Sequence, residues 1–234
     1  MEFASDLGKL QRQMASSSAG ISRRQAILET LSISAGDQIM DVGCGGGHLL
    51  EHLAKAVGEK GHVYGVDPSE DQIAQARGKC SDFENVSLLN SNADDISLEQ
   101  NSCNSVTSTQ AFEYIKDIDA ALHEATRVLI SGGAFVNISI LWDHFKFFGA
   151  EEKLNNRIHD TFRAHCSHQM LPMELPGKLA RLGYRDIRNK SLAFVITQRD
   201  QNSPARYTEE TVAFFALNHG MSTTDVMDWR AQLS

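Results

Sequence analysis

The sequence predicts an α/β protein built on a doubly wound, mostly parallel sheet of the Rossmann-like kind, with a helical lid supplied by the N-terminus and by an insertion after the fifth strand. Short apolar, β-branched runs alternate with longer amphipathic segments five times within about a hundred residues, the pattern of a parallel sheet covered by helices on both faces. A glycine cluster, Gly43-Cys-Gly-Gly-Gly47, follows directly on the first apolar run, where a strand has to turn sharply into a helix. The lid rests on a third observation. The alternation stops after Ile140, and about thirty residues intervene before the next core helix.

Taken in order, Phe3, Leu7, Leu10 and Met14 fall at helical spacing, and the small residues Ala15-Ser-Ser-Ser-Ala-Gly20 are expected to interrupt that helix as a hinge. A second helix is expected over residues 22–31 with Ser22 as its N-cap, followed by a turn at Ser34-Ala-Gly-Asp37. Strands are expected at residues 38–42, 62–66, 86–89, 105–109 and 133–140, and helices at residues 46–57, 69–80 and 118–129. Gly132-Gly133 reads as the turn into the fifth strand. Within the insertion, Leu154, Ile158 and Phe162 are spaced for one helix. Residues 173–182 then read as a helix, 184–197 as a sixth strand, and 209–219 and 223–232 as closing helices, with no seventh strand. The expected organisation is one domain over residues 1–234: N-terminal helices to residue 31, a core over 32–140, a lid over 141–171 and a C-terminal strand and helices from 172.

Composition narrows the partners. Hydrophobic residues at 41% and charged residues at 22%, with four prolines, describe an ordinary globular chain. The formal charge of −8 argues against a nucleic-acid backbone as partner, because that affinity rests on Lys and Arg neutralising phosphates. A small molecule is the expected substrate. Cys44, Cys80, Cys103 and Cys166 are far apart in sequence and form no C-x-x-C pair, so neither a zinc site nor a redox motif is expected and no metal is assigned. No apolar run approaches the roughly 18 residues of a membrane span, and residues 1–20 lack the apolar centre of a secretory signal, so the expected compartment is the cytoplasm. The oligomeric state is left open.

The glycine cluster carries chemistry because it puts unobstructed backbone amides at the carboxyl edge of the sheet, where ligands bind in open parallel folds. The following helix N-terminus suits a carboxylate or phosphate. Asp67, at the end of the second strand, is an acid placed to accept both hydroxyls of a ribose. Together they imply a nucleoside ligand. A dinucleotide turn runs G-x-G-x-x-G, whereas here Gly43-x-Gly45-x-Gly47 follows an acid, Asp41.

Ile39-Met-Asp-Val-Gly-Cys-Gly-Gly-Gly47, Gly65-Val-Asp-Pro-Ser69 and Ala125-Thr-Arg-Val-Leu-Ile-Ser-Gly-Gly-Ala134 resemble the successive core motifs of class I S-adenosylmethionine-dependent methyltransferases. The nearest branch holds the ubiquinone and menaquinone C-methyltransferases and many small-molecule O- and N-methyltransferases, and the resemblance covers residues 32–140. It implies S-adenosylmethionine as cofactor. Asp41 would orient the loop and the cofactor's amino group, Gly43, Cys44 and Gly45 would line its methionine part, and Asp67 would hold the ribose with Pro68 and Ser69 beside the adenine. Where the family usually has an acid-alanine pair, this chain has Asn92-Ala93, and a usual acid before the fourth strand is Asn104. Asn92 can still hydrogen-bond adenine.

The reaction implied is an in-line displacement in which the cofactor carries the reactivity and the protein aligns the nucleophile and excludes water. Candidate proton acceptors are Asp143 and His144, with His159, His165 and His168 as further histidines. Trp142, His165 and His168 are candidate substrate contacts, and Phe145, Phe147 and Phe148 a candidate apolar wall. Gln110, Phe112 and Tyr114 follow the fourth strand, with Gln110 near the methyl donor. The alternatives are an inactive cofactor-binding scaffold, suggested by Asn92 and Asn104, and a nicotinamide-dependent oxidoreductase, which the glycine spacing disfavours. Arsenite as acceptor is disfavoured because Cys80, Cys103 and Cys166 do not form a recognisable thiolate set.

Overall fold

Among the described residues, five strands form one parallel sheet: β1 (Gln38–Val42), β2 (His62–Val66), β3 (Val86–Leu89), β4 (Cys103–Thr109) and β5 (Leu129–Ile138), in the order β3-β2-β1-β4-β5. The structure, a computed structural model, describes residues 5–192 and 203–233, with side chains described from Leu10 onward except that of Gln11. Because β2 and β3 lie on one side of β1 and β4 and β5 on the other, the chain reverses direction across the sheet beside β1. Such a switch point opens a crevice at the carboxyl ends of the two strands that flank it. Asp41 stands there, opposite Gly65 of β2 and Thr107 of β4.

The helices are α1 (Ser5–Ser16), α2 (Ser18–Thr30), α3 (Leu50–Val57), α4 (Glu70–Lys79), α5 (Ile118–Val128), α6 (Glu152–Phe162), α7 (Leu171–Arg181), α8 (Pro204–Asn218) and α9 (Thr223–Gln232). Side chains alternate across β1, so Ile39 joins a core with Ile27, Leu50, Leu53 and Ile73, while Met40 joins one with Val106, Leu122, Leu171 and Leu179. α2, α3 and α4 thus cover one face, and α5 and α7 the other. A third core lies apart from the sheet, where Ile158 and Phe162 of α6 meet Val212 and Phe215 of α8 and Trp229 of α9.

Several expectations are corrected. The run 15–20 is no hinge: only Ser17 separates α1 from α2, and it caps the second helix by accepting from Gly20 N at 3.3 Å. Its small residues serve close packing, since a Cβ on Gly20 would meet Ala15 O at 2.3 Å. Ser22 therefore lies inside α2 rather than capping it.

The helix after the glycine cluster starts at Leu50, not near residue 46, because Gly43 N and Cys44 N both donate to Val66 O and Gly47 N donates to Cys44 O, spending those residues on turns. Gly132 and Gly133 lie inside β5 as a bulge rather than before it: Leu129 pairs with Cys103 and Ala134 with Ser105, so the residues between are looped out.

The sixth strand over 184–197 is not formed in its described part. Residues 184–192 carry no strand, and 193–197 lie outside the described residues. Tyr184 instead packs on Phe135 at 5.9 Å between ring centres and shares a 3.2 Å hydrogen bond between its hydroxyl and Thr126. α6, from the expected lid, packs with α8 and α9 in the third core.

Candidate functional site

β1 delivers Asp41 into the core, 3% exposed, with the Thr107 hydroxyl donating to its Oδ1 at 2.9 Å. Burial pushes the Asp41 carboxyl up to about 7, the Thr107 bond working against that shift and nearby Asp67 adding to it. Gly43 next turns the chain at φ +72, and a Cβ there would lie 2.2 Å from Ala111 Cβ, so only glycine fits between β1 and the segment after β4. The Cys44 thiol is buried and held well above its ordinary pKa, first by that burial and then by Asp41 and Asp67, which makes it an inert wall.

Gly45 N donates to Asp67 Oδ2 and Ser69 N to Asp67 Oδ1, both at 2.9 Å, so the acid after β2 grips the glycine loop and the start of α4 together. Two of the carboxylate's roughly four lone-pair positions are used in this way. Asn90 Nδ2 holds Asp67 O at 3.0 Å. Pro68 and Asn92 are exposed on the rim of this corner, while Ala93 packs against the core. Ser91 Oγ is buried there without a hydrogen-bond partner among the described residues. Gln110, at φ +54, closes β4 through its N–H to Ile138 O at 2.7 Å. Asn104 serves the sheet, accepting from Gln38 N at 2.8 Å. Arg12 of α1 lays its side-chain carbons 3.6 Å from where a Gly46 Cβ would stand and pairs with Asp71 at 3.2 Å, covering the loop from outside.

The second group of sequence candidates gathers after β5. Trp142 is half-buried, edge-on to Phe145 and Phe162 at 5.7 Å each and to His165 at 4.5 Å between ring centres. Asp143 and His144 are exposed, and Asp143 pairs with Arg163 at 3.2 Å. His165 is 2% exposed, stacked 3.9 Å from Phe162, with Nδ1 2.7 Å from Phe162 O. A carbonyl only accepts, so Nδ1 carries the proton and Nε2 is a bare acceptor. Burial holds the ring down at about 4, which keeps it neutral at pH 7. Its Nε2 has no hydrogen-bond partner among the described residues. His168 faces elsewhere, with Nε2 3.0 Å from Ile115 O and Nδ1 3.7 Å from Glu174. The two histidines share no helix face, because the helical segment ends at His165 and Cys166 is extended before His168 is reached. His159 likewise serves the lid, with Nε2 accepting from Phe147 N at 3.1 Å. Phe145 and Phe147 pack into the lid core, while Phe148 is 83% exposed.

Sequence reasoning passed over Glu113, which lies between Phe112 and Tyr114 on a short turn after β4. It is 0% exposed. The Ser139 hydroxyl donates to its Oε2 at 2.9 Å, Oε1 has no hydrogen-bond partner among the described residues, and burial pushes the carboxyl up to about 7. A charged residue set between two aromatics just after a strand was the available signal. Arg23 of α2 was also passed over. It is 9% exposed and interacts electrostatically with Glu113 and Tyr114, and burial lowers its pKa more than those two raise it. Among the described residues no three His, Cys, Asp or Glu side chains are grouped to hold a metal ion, and no helix is long and apolar enough to cross a membrane.

The chain has relatives among known proteins. A stretch of 113 residues, 48% of the chain, is 34% identical to demethylmenaquinone methyltransferase of Staphylococcus aureus, and 131 residues, 56% of the chain, are 33% identical to an uncharacterised 37.1 kDa transposon protein of Streptomyces fradiae. The matches span 47% and 38% of those two proteins, about half their length or less. The YcgJ protein of Bacillus subtilis has the same fold, with a TM-score of 0.60 over 86% of this chain and 85% of that one at 19% identity. A family model described as a methyltransferase domain matches residues 33–204. That match takes in the whole sheet and the crevice beside β1, and it decides the family: the chain belongs to the class I S-adenosylmethionine-dependent methyltransferases, near the quinone methyltransferases.

Proposed function

We propose that this chain moves the methyl group of S-adenosylmethionine to a small-molecule acceptor by in-line displacement. The observation that carries this is the corner at the switch point, where Asp41, the turn at Gly43 and the Gly45 to Asp67 hydrogen bond bring one acid from β1 and one from β2 to the same glycine loop. The residues fit the cofactor. Asp41 and Asp67 are acceptors suited to an ammonium and to ribose hydroxyls, and a cationic ammonium would draw the raised Asp41 carboxyl back to its charged form. The unpartnered Ser91 Oγ, beside exposed Asn92 and Pro68, offers a polar atom toward the adenine side.

When bound, the cofactor supplies an electrophilic methyl on a sulfonium. This chain's residues then bind and orient. Gly43, Cys44 and Gly45 form the loop floor, Gln110 borders the methyl side, and Asn92 and Ala93 border the base. Trp142 and His165 support acceptor binding at the mouth of β5, under a lid that excludes water, while His168 contributes only its backbone N–H to the Glu113 carbonyl. Asp143 is already engaged by Arg163, so of the exposed pair His144 is the freer to accept a proton. The small acceptor is supported by the −8 charge and by the quinone-type substrate in the name of the Staphylococcus aureus relative.

Calorimetry with S-adenosylmethionine, S-adenosylhomocysteine and NAD tests the reading, followed by turnover on phenols, quinols, amines and thiols. Binding of both sulfur cofactors with methyl transfer to one acceptor is expected. Binding of NAD alone would overturn it, and cofactor binding without turnover on any acceptor would favour an inactive scaffold.

A further inference from the structure

At the carboxyl ends of β4 and β5, three polar atoms are buried with no hydrogen-bond partner among the described residues: Glu113 Oε1, Trp142 Nε1 and His165 Nε2. Native proteins pair nearly all such atoms, and each one left alone costs stability, so three in one place call for a missing partner. Glu113 is held from several sides. Ser139 binds its Oε2 at 2.9 Å, and Ser167 N and His168 N donate to its backbone carbonyl at 2.9 and 3.0 Å. A carboxyl fixed this firmly with one oxygen idle is prepared for something other than the fold. The Trp142 indole N–H lies close enough to the same carboxyl to favour its charged form, though not in full hydrogen-bond geometry.

The chemistry of the three atoms is specific. His165 Nε2 is an acceptor, because Nδ1 spends its proton on Phe162 O; Glu113 as a carboxylate is a second acceptor; Trp142 is a donor only. A hydroxyl meets two of the three at once, donating to the carboxylate while accepting from the indole, and leaves His165 Nε2 as a further acceptor. Tyr114, Phe145 and Phe162 surround the group, the first with its ring 5.8 Å from His165 and the other two edge-on to Trp142, so a flat aromatic frame for that hydroxyl is favoured. The position also suits an acceptor: Glu113 is two residues from Ala111, whose Cβ blocks any side chain at Gly43 of the cofactor loop.

We propose that Glu113 recognises the methyl acceptor, its Oε1 receiving the hydrogen bond of an aromatic hydroxyl whose oxygen takes the Trp142 indole N–H. This rests on the methyltransferase reading above. The atoms are closed off from solvent, so acceptor binding requires this corner to open.

The test uses the full chain saturated with S-adenosylhomocysteine, and two probes, β-naphthol and its methyl ether, titrated by calorimetry. The ether keeps the rings and lacks the donor. The wild-type protein is expected to bind β-naphthol about tenfold more tightly than the ether, and Glu113→Gln is expected to erase most of that difference while leaving S-adenosylhomocysteine affinity unchanged. A structural role would not move the pH profile. Binding of β-naphthol should strengthen through a midpoint near neutrality in the wild type and not in Glu113→Gln.

The other groups facing Glu113 titrate elsewhere. The Arg23 guanidinium from α2 remains a cation, Tyr114 lies well above its usual range, Cys166 is pushed up to about 12 and His165 down to about 4. If Glu113→Gln does not fold, Ser139→Ala decides: freeing the carboxyl that Ser139 positions should weaken β-naphthol and leave the ether unaffected. Equal affinity for the two probes in the wild type, absence of binding by either, or an unchanged preference in the variant that folds would overturn the assignment. Loss of S-adenosylhomocysteine binding by the wild type would instead overturn the methyltransferase reading.

Discussion

The backbone N–H of Gly45 donates to Asp67 Oδ2 at 2.9 Å, so a single carboxylate after β2 holds the glycine loop after β1 in place before any ligand arrives. With Ser69 N on its other oxygen, Asp67 also starts α4. Asp67→Ala should therefore do two things. It should weaken S-adenosylhomocysteine binding by about 1–3 kcal/mol, the scale for lost hydrogen bonds to a charged group, and it should lower stability of the unliganded protein by an amount in the same range. Calorimetry and urea titration read the two separately. Unchanged affinity with lowered stability would leave Asp67 only a loop anchor.

Gly43→Ala tests the corner sterically. The new methyl would lie 2.2 Å from Ala111 Cβ at a backbone angle of +72, so either the loop or the segment after β4 must shift. Gly132→Ala is the control, because Gly132 has a similar φ of +79 with nothing within 4 Å. The control should cost about 1–2 kcal/mol from the left-handed backbone alone. Gly43→Ala should cost measurably more in urea denaturation and should abolish cofactor binding. Equal losses for the two would mean the contact with Ala111 relaxes freely.

Positions of β1 to β4 were readable to within two residues because short runs rich in apolar or β-branched residues are bounded by turn residues, although burial falls from nearly complete in β1 to half-buried throughout in β3. The glycine-loop corner was readable for a related reason: backbone geometry makes it, and glycines and an acid in one short stretch record that geometry. The proposed acceptor side leaves no such record. Arg23 comes from α2, Glu113 from the turn after β4, Trp142 from the turn after β5 and His165 from beyond α6, so only the fold unites them. Local composition misled at the run 15–20, where small residues signal close helix packing as well as flexibility. Arg127 is the reverse case. It stands within a family motif and serves the scaffold, tying Ile96 O and Leu98 O to α5 at 2.9 and 2.8 Å with Glu124 beside it.

Stability should depend on pH through Asp41. Its folded pKa, about 7, lies above the ordinary 3.8, so the native state holds a proton that the unfolded chain has released. Stability from this group is therefore lost as pH rises from about 4 to about 7 and is level beyond. His48, His159 and His165, each held down at about 4, act oppositely by losing stability as pH falls below their ordinary 6.5. The difference between Asp41→Asn and wild type isolates the carboxyl. Unfolding free energies in urea at pH 5 and pH 8 should show the variant gaining about 2–3 kcal/mol on the wild type between the two. A pH-independent difference would mean Asp41 titrates normally.

The lid has its own polar anchor. Trp229 of α9 is fully buried and donates its indole N–H to Asn155 Oδ1 at 2.8 Å, while Asn155 Nδ2 donates to Phe147 O at 2.7 Å. One amide thus joins α6, α9 and the irregular segment after β5. Asn155→Leu keeps the volume and removes both bonds, leaving the indole N–H and the Phe147 carbonyl without their partner inside an apolar cluster. The expected cost is about 1–3 kcal/mol for each group left unsatisfied, borne by the lid. Since Asn155 makes no contact with the glycine loop, S-adenosylhomocysteine affinity should stay near wild type while amide hydrogen exchange accelerates in α6 and α9 and not in β1 or β4. Uniform acceleration through the sheet would mean that the lid and the cofactor core unfold as one unit.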